Sequence, residues 1–174
     1  MELQRSVNGA LAGAAAALLW AAQQPLDKRL FGSGYDDVEL LGKLVTRDSS
    51  WPLAGAALHV YNGAIFGAVY SQARPFIPGP ASGRGVLAAF AEHAALWPLL
   101  VRASDRYHPA RDDLPPLTGN RRAFAQATWR HVLFGVVLGE LERRLNRADA
   151  YEPLEVPVSS NGHGNIEHAA VGAA

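Results

Sequence analysis

His59–Gly67 reads HVYNGAIFG and His131–Gly139 reads HVLFGVVLG, with the histidine and both glycines at the same spacing 72 residues apart (131 − 59). Extended back four residues, the stripes are Gly55, His59, Gly63, Gly67 and Ala127, His131, Gly135, Gly139. Steps of four stay on one slowly drifting face of a helix. Small residues on such a face let helix backbones approach where lipid offers no hydrophobic drive. The pair of stretches therefore predicts two helices with matched packing faces and a helical hairpin written twice. Two spans per copy give both copies the same topology, related by an axis along the membrane normal.

Working outward, four apolar blocks alternate with polar, Pro- and Gly-rich connections. They predict spans at about 7–25, 52–71, 85–102 and 123–144, at the short end of the roughly 17–25 residues that cross a bilayer. The polar residues within them are isolated and form no three-to-four-residue stripe of the kind a soluble bundle needs. Ala10–Ala22 is apolar on every side, which argues against a soluble Ala-rich bundle. The leading MELQRSVN lacks the net positive charge of a signal peptide. The first and third blocks correspond more loosely, through Trp20 with Pro25 and Trp97 with Pro98. Between blocks one and two, Val38, Leu41 and Val45 recur at helical spacing behind Asp36 and Glu39, predicting an interfacial amphipathic helix at about 36–46. From 151 to 174 the periodicity is lost and a disordered tail is expected. The fold expected is thus all-α, a four-transmembrane-helix bundle of two related hairpins plus one short interfacial helix, with 1–150 as its membrane domain.

Composition narrows the function classes. Sixteen Lys and Arg balance sixteen Asp and Glu, so no global basic field points to nucleic acid. The absence of cysteine removes thiol catalysis, thiolate metal sites and disulfides. No HExxH, GxSxG or P-loop is present, and a non-enzymatic protein is expected. Arg greatly outnumbers Lys and Ala is abundant, a composition that goes with GC-rich bacterial codon usage. Nine Lys and Arg in the two longer connections against six on the other side leave the orientation of the termini weakly determined.

The residues that carry chemistry are those out of place in hydrocarbon: His59, Asn62, Glu92, His93, Gln126, Arg130 and His131. Ionisable groups at such depth face the bundle interior and pair. Three readings follow. These side chains could join helices by hydrogen bonds, with Glu92 meeting Arg130 or a histidine. Glu92, His93, His59 and His131 could form a proton or cation path, since histidine titrates near neutrality. Alternatively His59 and His131 could ligate a transition metal or haem, with the neighbouring Gly63, Gly67, Gly135 and Gly139 making room. One histidine per helix is a weak ligand signature. The leading expectation is proton or ion handling with no cofactor; the rivals are a haem- or metal-binding protein and an accessory subunit of a membrane complex.

The order of these features resembles the YagU-type family of small, uncharacterised bacterial inner-membrane proteins. The likeness rests on the first span, the amphipathic segment, HVYNGAIFGAVY ending at Tyr70, the late Trp97–Pro98, and HVLFGVVLG, over about residues 8–145. Glu92, His93 and Arg130 map to no pattern of that family. The resemblance implies a multi-pass protein of the bacterial inner membrane, with the lipid bilayer as its partner and a homo-oligomer or complex as a further expectation. It supplies no reaction, cofactor or ligand. Acid-stress tolerance has been attached to the type.

Overall fold

A computed structural model describes residues 2–147; the tail expected at 151–174 lies outside the described residues. The described chain is all-helical: α1 (Glu2–Phe31), α2 (Asp37–Val45), α3 (Trp51–Ala73), α4 (Ala81–Arg102) and α5 (Arg121–Leu145). Short 3-10 and π turns, Arg74–Phe76 and Ala103–Tyr107, extend α3 and α4.

The ends of the helices follow from local chemistry. α1 runs past Pro25, where the apolar block ended, and stops only at Gly32, whose φ of +59° suits a residue without a Cβ. There the Ser33 N–H reaches back to the Lys28 carbonyl at 3.2 Å and closes the last turn. The Asp36 carboxylate caps α2 by accepting from the Glu39 N–H at 3.0 Å. The Glu39 side chain pairs with Lys43 at 2.6 Å instead of completing a reciprocal box. Pro52 opens α3, where its missing N–H costs nothing. Asn120 caps α5 through the Ala123 N–H.

Packing follows the small residues. α1 lies antiparallel on α3, α4 antiparallel on α5, and α1 against α5, while α3 and α4 barely touch. A Cβ on Gly13 would stand 2.0 Å from the Gly63 carbonyl oxygen, and one on Gly67 2.1 Å from that of Gly9. A Cβ on Gly85 would stand 2.0 Å from the Gly135 oxygen, and one on Gly139 2.1 Å from that of Ala81. These contacts are related by one offset: 9 to 81, 13 to 85, 63 to 135 and 67 to 139 each differ by 72. Gly55 has another use, its backbone meeting the Val38 carbonyl of α2. Ala127 at the equivalent place is buried among Tyr35, Leu40, Leu114 and Leu117.

The central core is made of Ala12, Ala16, Ala17, Trp20, Tyr70, Ala89, Phe134 and Leu138. Two helices, Trp51–Phe76 and Ala81–Tyr107, are long and apolar enough to cross a membrane. Large apolar side chains also point outward elsewhere, among them Leu11, Leu18 and Leu19 on α1 and Phe124, Trp129 and Val136 on α5.

Candidate functional site

Where α3 and α4 part, a cavity of about 250 Å³ opens. His59, Asn62 and Phe66 line its α3 wall, and Glu92, His93 and Trp97 its α4 wall. Trp20 of α1, with His131 and Phe134 of α5, lies among its remaining lining residues. The cavity thus gathers five of the seven expected polar residues; Gln126 turns instead to Asp27. Arg130 is held elsewhere, because successive helical positions point about 100° apart.

His131 is the best defined of the group. Its Nδ1 lies 2.7 Å from the Ala127 carbonyl oxygen, which can only accept, so Nδ1 carries a hydrogen. Its Nε2 lies 3.0 Å from Glu92 Oε2. That contact requires one proton between the two atoms: either the imidazolium faces a carboxylate, or the neutral ring faces a carboxylic acid. His93 stacks on His131 with ring centroids 4.4 Å apart and on Phe124 at 5.1 Å. The Thr128 hydroxyl donates to the Phe124 carbonyl, so at 3.0 Å from it His93 Nε2 is the donor. Asn62 is exposed at the mouth, and Glu92 is partly so, its side chain 35% accessible.

His59 occupies the position 72 residues before His131, and Trp20 stands 72 before Glu92. The Trp20 ring meets His59 edge-on at 5.2 Å and His131 at 4.7 Å, so one indole contacts both histidines. His59 is buried, and its Nε2 has no hydrogen-bond partner among the described residues.

Arg130 sits in a separate, adjoining network. Its Nε and Nη2 grip the two oxygens of Asp27 at 2.6 and 2.7 Å, and its Nη1 reaches Asp37 Oδ2 at 2.6 Å. Gln126 donates to the same Asp27 at 2.6 Å. Burial alone would raise the Asp37 carboxyl's pKa, but the Arg130 charge beside it, helped by the Tyr35 hydroxyl, holds it below the ordinary value. Burial, and then the Asp37 charge, push the Tyr35 hydroxyl well above its ordinary range. Trp20 Nε1 donates to Asp37 Oδ2 at 3.0 Å and thereby ties this network to the cavity.

Searches against protein-family models, curated proteins and solved structures find nothing that matches the chain.

The sequence alone does not mark Asp27, Asp37 or Trp20 as site residues. Asp27 follows Pro25 in a stretch that reads as a connection, and only the continuation of α1 to Phe31 brings it inside. Asp37 sits in the first turn of an apparently interfacial helix, and one turn of polar residues cannot reveal its remote partner. Trp20 carries a signal as an aromatic in an apolar block, but the sequence pairs it with Trp97.

The same geometry bears on the metal and haem alternatives. Among the described residues no group of three or more His, Asp or Glu is arranged to hold a metal. Both nitrogens of His131 are already engaged by Ala127 and Glu92.

Proposed function

We propose that the chain is a four-span membrane protein of two duplicated hairpins, and that its cleft handles protons through the Glu92–His131 pair. Membrane placement is supported by where the apolar surface lies. Only 28% of the most apolar stretch of Trp51–Phe76 and 11% of that of Ala81–Tyr107 are buried in the protein, unlike core helices of a soluble fold. The outward leucines of α1 and aromatics of α5 extend that surface around the bundle, supporting four spans. The common offset of the glycine contacts supports the duplication. An inner-membrane location accords with the YagU resemblance.

The observation that carries the proton reading is the contact between His131 Nε2 and Glu92 Oε2. The Ala127 carbonyl fixes the tautomer, so the pair must share one proton, and moving it between nitrogen and oxygen needs no rearrangement of the ring. Partial exposure of Glu92 gives that proton an exit to the cleft, while Trp20 and Asp37 stand behind it. Nothing in this mechanism requires a covalent step, and we read the protein as non-enzymatic. Acid-stress tolerance is the physiological setting such a pair would suit.

Purified protein in liposomes enclosing a pH-sensitive dye tests the proposal. Wild type should dissipate an imposed pH gradient faster than empty vesicles, and Glu92→Gln or His131→Ala should slow the protein-dependent part by about a hundredfold or more, the scale of losing one positioned proton-transfer group. A wild-type rate equal to that of empty vesicles leaves the cluster as helix-joining hydrogen bonds. A visible absorption band or stoichiometric metal in the same preparation would favour the cofactor alternative, and a stably co-purifying membrane protein the accessory-subunit one.

A further inference from the structure

The proton pair does not account for the α3 side of the cavity. There His59 is 8% exposed, and its Nε2 has no partner among the described residues. A buried ring nitrogen without a partner costs free energy unless something completes it. Asn62 stands three residues further along the same helix, at the mouth. Across the gap lie Glu92 and His131, a second polar station on α4 and α5. Between the stations the walls are aromatic and apolar: Trp20, Phe66, Trp97 and Phe134. The two helices that flank the opening are the two most apolar of the chain and barely touch, so the opening faces the hydrocarbon once the protein is in a bilayer.

We propose that this cleft is a binding site for the head group of a membrane-soluble quinone or quinol, entering sideways between α3 and α4. The chemistry is matched at each point. A six-membered ring with oxygens at opposite ends can satisfy His59 Nε2 with one oxygen and approach the Glu92–His131 pair with the other. The histidine accepts from a quinol hydroxyl or donates to a quinone carbonyl according to its tautomer. The flat faces of the ring suit the aromatic walls. About 250 Å³ accommodates one substituted ring and leaves an isoprenoid or alkyl tail in the lipid. A phospholipid head group matches less well, since the cavity presents no lysine or arginine among its lining residues. The site rests on the membrane placement proposed above, but not on proton transport.

The test is calorimetric titration of the detergent-solubilised full chain with decyl-benzoquinone and with its reduced quinol, using decylbenzene as a tail-only control. At least one of the two oxygenated probes should saturate at one per chain while decylbenzene does not. His59→Phe, which keeps a ring against Trp20 but removes the nitrogen, should weaken binding about tenfold, what one hydrogen bond is worth. Asn62→Leu alters an exposed residue and should weaken it without lowering the melting temperature, so it serves if His59→Phe folds poorly. No saturation by either probe, equal binding of decylbenzene, or unchanged affinity in both variants would overturn the site. The titration needs no pH gradient and is therefore scored apart from proton flux. Saturable binding without flux removes the proton proposal alone, and flux without binding removes this one alone.

Discussion

Arg130 shows how a single charge can be kept inside an apolar bundle. It is fully buried, and so is Asp27, whose two oxygens it grips. Breaking a buried pair by removing one partner typically costs about 3–5 kcal/mol, because the other charge is left behind. Arg130→Met should therefore lower the melting temperature strongly in detergent, and Arg130→Met with Asp27→Leu should recover part of the loss, Asp37 still lacking its arginine. Equal destabilisation by the single and double variants would mean that the pair is not the source. Asp37 adds a pH dependence of definite sign. Its folded pKa lies below the ordinary 3.8, so its contribution is complete above about pH 4 and fades as pH falls through the lowered folded value. Acid melting followed by circular dichroism should show this limb in wild type, and Asp37→Asn should lack it. A limb of unchanged size in Asp37→Asn would assign it to another carboxylate.

Helix pairs in this protein are specified by what their contact faces lack. A Cβ at Gly13 would meet the Gly63 carbonyl at 2.0 Å, and one at Gly85 would meet Gly135 at the same distance, in both cases backbone that no rotamer change can move aside. Gly13→Ala and Gly85→Ala should each destabilise by about 1–3 kcal/mol through forced separation of the helices. Gly34→Ala, with no neighbouring atom within 4 Å and no positive φ, should stay within about 0.5 kcal/mol of wild type. Thermal melts of the three variants check this, and a neutral Gly13→Ala would contradict the contact. These elements were largely legible in the chain: the four-residue steps of α3 and α5 named Gly63, Gly67, Gly135 and Gly139 as packing residues. Legibility failed where a contact depends on register between distant helices. Pairing Trp20 with Trp97 gave blocks one and three an offset of 77, whereas the glycine contacts set it at 72, so that Trp20 answers to Glu92 (20 + 72). Likewise His131 was recognisable as a candidate, but its bond to Glu92 was one of several pairings the sequence allowed. Arg130, one position earlier, faces a different neighbour for the same helical reason.

The bundle as a whole has two ends, and side-chain bonds between remote segments mark them. Arg47 meets Asp113 at 2.8 Å and His108 meets the Leu40 carbonyl at 2.9 Å, placing the α1–α3 connection beside the α4–α5 connection. At the other end Asn8 meets Asn146 at 2.8 Å, Gln72 meets Ser6 at 2.8 Å, and Arg74 meets Glu142 at 2.5 Å. If all four long helices cross the bilayer, Gly34 and Asp112 lie on one side, and Glu2, Gly79 and Arg147 on the other. The chain has no cysteine, so single substitutions give unambiguous reporters. Gly79→Cys, Glu2→Cys and Arg147→Cys should react with an impermeant maleimide from the same face of oriented vesicles, and Gly34→Cys and Asp112→Cys only from the opposite face. Two spans, α3 and α4 alone, would instead place positions 2 and 147 with 34 and 112, leaving 79 by itself. The outcome turns on α1 and α5, whose charges cluster toward their ends except for Arg130. That charge is neutralised by Asp27 and Asp37 within hydrogen-bond reach, so burying it in the bundle does not leave an unpaired cation facing lipid. The labelling pattern therefore tests the membrane topology and the role of the Arg130 network together: four spans require that the network, and not the lipid, receive this arginine.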